Sequence, residues 1–270
     1  MGQVSRPQDA APPAATDILR TDRLTKSFGG VSALDQVSIS VRTGAITGII
    51  GPNGSGKSTL FDVITGIVRR DAGHIWFDGR EMDKPTLDKC ARHGLVRTFQ
   101  VPRVAASMTV LEHFMLAPPG APGESLGQVV APWRFRRIAS DERARFAGAT
   151  SMAQTLGLQD VANERASSLS GGQLKLLSVG VALMARPRLL LLDEPVAGVN
   201  ASMIEVVMRL LRKACAEGVT VLVIEHNMSV MWELCEKVHV LHAGRVIAEG
   251  SAAEMQNNRL VIDAYLGRST

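Results

Sequence analysis

Residues 45–68 read AITGIIGPNGSGKSTLFDVITGIV, an apolar run, a glycine-rich turn and then apolar positions at helical spacing. The run Ala45 to Ile50 has the composition of a buried strand, and Leu60, Val63, Ile64 and Ile67 fall on one face of a helix. Between them Gly51, Pro52, Asn53, Gly54, Ser55, Gly56, Lys57 and Ser58 fit G-x-x-x-x-G-K-[ST], a phosphate-binding loop in the strand-to-helix context it requires. Glycines let backbone N–H groups turn inward around phosphate oxygens, and the helix N-terminus adds its positive dipole end. Lys57 is expected to reach the β and γ phosphates of ATP, Ser58 to hold Mg²⁺ through its hydroxyl, and Thr59 to add a further oxygen contact. The reading is therefore an α/β fold of the P-loop NTPase type.

A second apolar run, Leu189 to Leu192, ends in Asp193 and Glu194. An aspartate at the C-terminal end of a parallel strand reaches a metal beside the phosphate loop, so Asp193 is the expected Mg²⁺-side carboxylate with Ser58. Glu194, one residue on, is the expected general base for the attacking water.

Outward from these two runs, β-like segments are predicted at Ile18 to Phe28 and at Val37 to Val41, hairpins at DAGHIWFDGR (residues 71–80) and at VHVLHAGRVIAEG (residues 238–250), and a buried strand at VTVLVIEH (residues 219–226). Helices are predicted at Ser140 to Leu156, Gly171 to Ala185, Ala201 to Glu217 and about Leu260 to Leu266. The opening residues 1–16 read as a flexible tail, and Pro118 to Pro132 as a Pro/Gly-rich loop or insertion. Residues 17–270 are expected to form a single domain with an antiparallel edge region beside a mixed sheet and a helical subdomain at about residues 101–185.

The longest apolar stretch, Leu176 to Ala185, is about half the roughly 20 residues that cross a bilayer, and the N-terminus lacks a secretory pattern, so a cytoplasmic chain is expected. Cys90, Cys215 and Cys235 have no paired spacing and read as buried, inert thiols. A net charge of +4 falls short of a nucleic-acid footprint, and no nucleic-acid partner is expected. The basic and aromatic run Trp133 to Phe146, interrupted by Asp141 and Glu142, reads as a solvated or lipid-proximal helix face. His74, His93, His113, His239 and His242 share no metal-ligand spacing and read as structural.

Leu169 to Gln173 spell LSGGQ, about twenty residues before Asp193. With this motif the chain resembles the ABC ATPases, whose signature loop has this sequence in this place. The resemblance implies a head-to-tail dimer around two ATP molecules, each site combining the phosphate loop of one chain with Ser170, Gly171, Gly172 and Gln173 of the other. It further implies that Gln100 contacts Mg²⁺ or the water, and that His226 contacts the γ-phosphate and holds Glu194 in place. Phe28 stands where the family stacks an aromatic ring on adenine, with core packing as the alternative.

Four segments, VRTFQ (residues 96–100), VAGVN (196–200), IEHNM (224–228) and VIDAYLG (261–267), resemble the ATPases of branched-chain amino-acid importers. The ATPase of lipopolysaccharide export is a similar alternative, and uptake of urea, amides or aromatic acids belongs to the same importer class. The partners so implied are a second ATPase subunit, identical or related, integral membrane permease subunits on whose cytoplasmic face this chain would sit peripherally, and an extracytoplasmic solute-binding protein. A nucleotide-binding regulator without turnover would be expected to lack Lys57, Glu194 or His226, and all are present.

Overall fold

A computed structural model describes residues 16–118 and 132–266, with backbone alone for 132–140 and 266. The predicted tail at 1–16 and the Pro/Gly-rich stretch lie almost wholly outside the described residues, as does Gly267.

The chain opens with β1 (Asp17–Phe28), β2 (Val31–Val37), β3 (Ser40–Arg42) and β4 (Ile46–Ile50), followed by α1 (Lys57–Thr65). The hairpin β5 (Ala72–Phe77) and β6 (Arg80–Glu81) leads through α2 (Leu87–Arg92) into β7 (Leu95–Arg97). Helices α3 (Val110–Leu116), α4 (Pro132–Thr155) and α5 (Gly171–Met184) precede β8 (Leu189–Asp193), α6 (Ala201–Ala216), β9 (Thr220–Ile224) and α7 (Met228–Leu234). The hairpin β10 (Lys237–His242) and β11 (Arg245–Ser251) is followed by α8 (Ala252–Gln256) and α9 (Arg259–Leu266).

One sheet has the order β11-β10-β4-β9-β8-β7, parallel except for β11 at its edge. The other is antiparallel, β2-β1-β5-β6, with β3 also on β1. The side-chain period of two explains the unbroken leucines of β8, since a central strand is covered on both faces. Leu189 and Leu191 pack with Leu60, Phe61 and Ile64 of α1, whereas Leu190 and Leu192 pack with Leu176 and Leu177 of α5 and Leu211 of α6. The α/β architecture with its mixed sheet, antiparallel region and helices agrees with the sequence reading.

Several boundaries differ, among them that of α1, which stops at Thr65 before the left-handed Gly66 and leaves Ile67, expected on its apolar face, exposed. The strand expected over Val37 to Val41 is divided between β2 and β3, because Gln36 takes a left-handed φ of 52° and the Thr21 hydroxyl interposes. That hydroxyl donates to Val37 O at 3.2 Å and accepts from Ile39 N at 3.0 Å, replacing ladder bonds where the chain shifts register on β1. The helix expected from Ser140 begins at Pro132 instead, because proline fits the first turn, where its missing N–H has no partner to lose. Helices α3 and α8 escaped the sequence reading although Thr109 with Glu112 and Ser251 with Glu254 form capping boxes.

Helices α3, α4 and α5 pack together around Gly180 of α5. A Cβ there would stand 2.6 Å from Leu156 Cδ1 and 2.7 Å from Phe114 Cε1, both fully buried side chains. Gly180→Ala gains about 0.5–1 kcal/mol of helix propensity and loses about 1–3 kcal/mol to overpacking, so a net loss of stability is expected in denaturant unfolding.

Cys90 and Cys235 are buried, and burial pushes their thiols up to about 11 and about 12. Cys215 departs from the expectation of full burial: it is only partly covered, with its Sγ donating to Gly44 O at 2.8 Å. Burial still raises its pKa, so alkylation of the native protein at pH 8 is expected to be slow and confined to Cys215, as peptide mapping would show.

Candidate functional site

β4, buried throughout and hydrogen-bonded between β10 and β9, delivers at its C-terminal end the glycine-rich turn expected to bind phosphate. Gly51 has φ 153°, and a Cβ there would lie 2.0 Å from Leu241 O of β10. Gly56 caps α1 in the left-handed region at φ 104°, with Ala33 O 2.4 Å from where a Cβ would sit. Only glycine fits either position. No side chain caps α1, so the amides of its first turn remain available to an anion. Ser58, Asn53 and Gly54 are exposed, Pro52 and Thr59 half-buried, and Ser55 buried beneath the turn. The Lys57 ammonium donates to Gly51 O and Pro52 O, both at 2.8 Å. Burial lowers its pKa, and the charges of Glu194 and Asp193 oppose that shift.

At the end of β8, Asp193 is buried and its Oδ2 accepts from Arg97 Nη2 at 3.2 Å. The Arg97 side chain, 4% exposed, also donates through Nη1 to Asp62 Oδ1 at 2.6 Å, between the rings of Phe61 and Phe99. Desolvation raises the Asp193 pKa, and the guanidinium restrains the rise. Glu194 follows in the left-handed region at φ 50°, an uncommon conformation for a residue with a side chain, and its N–H donates to Ile224 O at 2.9 Å. Lys175 Nζ donates to Glu194 O at 2.6 Å, so the backbone is held on both sides.

This held backbone aims the Glu194 carboxylate between His226, its expected partner, and Gln100, which was expected on Mg²⁺ or the water and here meets Glu194 itself. Gln100 Nε2 donates to Oε2 at 3.1 Å, and His226 Nε2 stands 2.7 Å from Oε1. The three residues come from loops after β7, β8 and β9, adjacent strands of one sheet. Glu225 ties two of these loops together, its buried carboxylate accepting from Val196 N at 2.8 Å and His226 N at 3.0 Å. Desolvation raises its pKa, and the hydrogen bonds from Val196, His226 and Asn227 counter part of that. Arg97, Lys175 and Glu225 were not singled out from the sequence, although VRTFQ and IEHNM contain two of them.

The LSGGQ turn behaves as its composition suggests. Ser170 caps α5, its hydroxyl accepting from Gln173 N at 3.3 Å while Gln173 Oε1 accepts from Ser170 N at 2.9 Å. Ser170 and Gly171 are exposed, Gly172 and Gln173 half-buried, and among the described residues no hydrogen bond or ion pair joins this turn to residues 51–59. Phe28 is 48% exposed with the Lys26 ammonium 5.2 Å from its ring centre, which sets core packing aside.

Four of the other five histidines hold local structure, and His242 is exposed at the end of β10. His74 bonds Glu81 at 2.6 Å, His93 bonds Lys89 O at 2.7 Å, His113 bonds Thr109 O at 2.7 Å, and His239 meets Glu249 at 3.0 Å. Of the run Trp133 to Phe146, the side chains from Asp141 are described; Asp141, Glu142, Arg143 and Phe146 are exposed on α4.

Among the described residues no helix is long and apolar enough to cross a membrane. The family description "ABC transporter" matches residues 34–197, and "Branched-chain amino acid ATP-binding cassette transporter" matches residues 245–269. A probable branched-chain amino acid transport ATP-binding protein of Archaeoglobus fulgidus is 37% identical over 250 residues, 93% of this chain and 95% of that protein. A lipopolysaccharide export system ATP-binding protein of Acidithiobacillus ferridurans is 31% identical over 252 residues, 93% of this chain and 98% of that protein. A solved structure, the ADP conformation of an ATP-binding cassette of an ABC transporter, superposes with TM-score 0.76 at 34% identity, covering 93% of this chain and 99% of that one. Similarity of this extent in both sequence and fold means that the chain belongs to the ABC transporter family and is one of its nucleotide-binding, ATP-hydrolysing cassettes.

Proposed function

We propose that this cassette powers uptake of branched-chain amino acids, hydrolysing ATP at sites shared between two head-to-tail subunits beneath membrane permease subunits. The observation that carries the chemistry is the convergence of Gln100 and His226 on the carboxylate of Glu194. Each Glu194 oxygen faces one nitrogen and keeps a lone pair for a water proton, so the carboxylate is fixed in orientation and still able to act as base. Lys57 exchanges the carbonyls of Gly51 and Pro52 for β and γ phosphate oxygens, aided by the uncapped amides of α1.

Asp193, the Ser58 hydroxyl and the Gln100 carbonyl suit Mg²⁺, because they are hard oxygen donors and one carboxylate is enough when substrate phosphates complete the shell. Bound there, Mg²⁺ would neutralise charge developing on the phosphates. The exposed turn at Ser170, Gly171, Gly172 and Gln173 has donors free of its own phosphate loop, which suits the γ-phosphate of the opposite subunit. The exposed ring of Phe28 suits adenine. The helices between about residues 101 and 185 would carry closure of the dimer, through Gln100, to the permease on the cytoplasmic face. An extracytoplasmic solute-binding protein completes such a system.

The match of residues 245–269 and the higher identity to the Archaeoglobus relative favour branched-chain amino acids over lipopolysaccharide. Deletion of the gene is expected to abolish uptake of labelled leucine, isoleucine and valine, with restoration by the intact chain and none by Glu194→Gln. Intact leucine uptake together with loss of lipopolysaccharide delivery, or of urea uptake, would overturn the substrate.

A further inference from the structure

The phosphate loop is held from a distant part of the chain. Gly51 N donates to the hydroxyl of Tyr265 at 2.7 Å, across 214 positions of sequence. Tyr265 stands near the end of α9, which Val261 (4% exposed) roots in the same core as β10 and α8. Burial pushes the phenol up to about 12, so the hydroxyl stays neutral at any physiological pH.

The anchored residue is the one the loop turns on. Gly51 is hemmed in by Leu241 O, and its carbonyl accepts from Lys57 Nζ at 2.8 Å. Tyr265 therefore fixes the nitrogen side of the residue whose oxygen side Lys57 holds. A lysine that turns toward phosphate gives up the carbonyl contact, whereas the tyrosine contact lies on the other side of the residue and is independent of that exchange. The anchor comes from the segment matched at residues 245–269, outside the general family match at 34–197.

We infer that Tyr265 is a positioning residue for nucleotide binding, its hydroxyl holding the first glycine of the phosphate loop so that α9 presets the loop for ATP. The inference rests on the reading of residues 51–59 as the nucleotide phosphate site. Tyr265→Phe keeps the ring and removes the hydroxyl. In the full chain it is expected to raise KM and Kd for ATP about two- to tenfold, the loss of one net hydrogen bond, with kcat within about twofold and thermal unfolding nearly unchanged. Amide exchange at Gly51, followed by mass spectrometry, is expected to quicken, a change that loss of packing elsewhere would not localise there. Unchanged KM and Kd for ATP would overturn the inference. Lys57→Ala serves as the control: if it too binds ATP normally, the phosphate-loop reading fails, whereas lost binding in Lys57→Ala beside normal binding in Tyr265→Phe sinks the anchor alone.

Discussion

Glu194→Gln is expected to lower ATP turnover by about 10²- to 10⁴-fold while leaving equilibrium ATP binding within about twofold, measured by phosphate release and by nucleotide titration of the same preparation. The amide keeps the volume of the carboxylate but cannot take a proton from water. It also disturbs orientation. The carboxylate stands between Gln100 Nε2 and His226 Nε2, and a glutamine amide would turn its own NH₂ toward one of them. The backbone is not expected to move, because the left-handed φ of 50° and the bonds to Ile224 O and from Lys175 are common to both residues. Glu194→Gly would separate the two properties: it relieves the left-handed strain, of about 1 kcal/mol, and removes the base. Undiminished hydrolysis in Glu194→Gln would remove Glu194 from the role of base.

Arg97→Met is expected to destabilise the fold by about 3–5 kcal/mol, read as a lower midpoint in urea unfolding monitored by circular dichroism. The guanidinium is buried between Asp62 of α1 and Asp193 of β8, and methionine would leave both carboxylates without their cation. The comparable volume of the replacement separates charge from packing, since a cavity alone would cost less. Arg97→Lys is expected to fall between, because an ammonium cannot span two carboxylates with the rigid fork of a guanidinium. A loss below about 1 kcal/mol in Arg97→Met would show that the pair contributes little net stability. Turnover should also fall in both variants, because Arg97 restrains the pKa and the orientation of Asp193.

The local shapes of the glycine-rich turn at 51–58, of the LSGGQ turn and of the acidic end of β8 were legible because each is a contiguous segment set by its own backbone needs. Gly51 and Gly56 stand where a Cβ would strike a carbonyl, and Ser170 with Gln173 closes a helix start on itself. The central strands were legible for a related reason: a strand covered on both faces must be apolar throughout, as Leu189 to Leu192 are. The break between β2 and β3 was not, because besides the left-handed Gln36 it is made by Thr21, a residue of another strand.

The support of the site was hidden for the same physical reason. Arg97 meets partners 35 and 96 positions away, and Gly51 meets Tyr265 at 214 positions, with nothing in local periodicity to pair them. The meeting of Arg97 with Asp193 follows from the pairing of β7 with β8, and those with Asp62 and Tyr265 from α1 and α9, which pack against the same sheet. Local sequence chose which groups carry the chemistry, since turn geometry and helix capping act over a few residues. The crossovers of the sheet chose which distant side chains hold those groups in place, since a charge or hydroxyl buried there needs a partner to offset its desolvation.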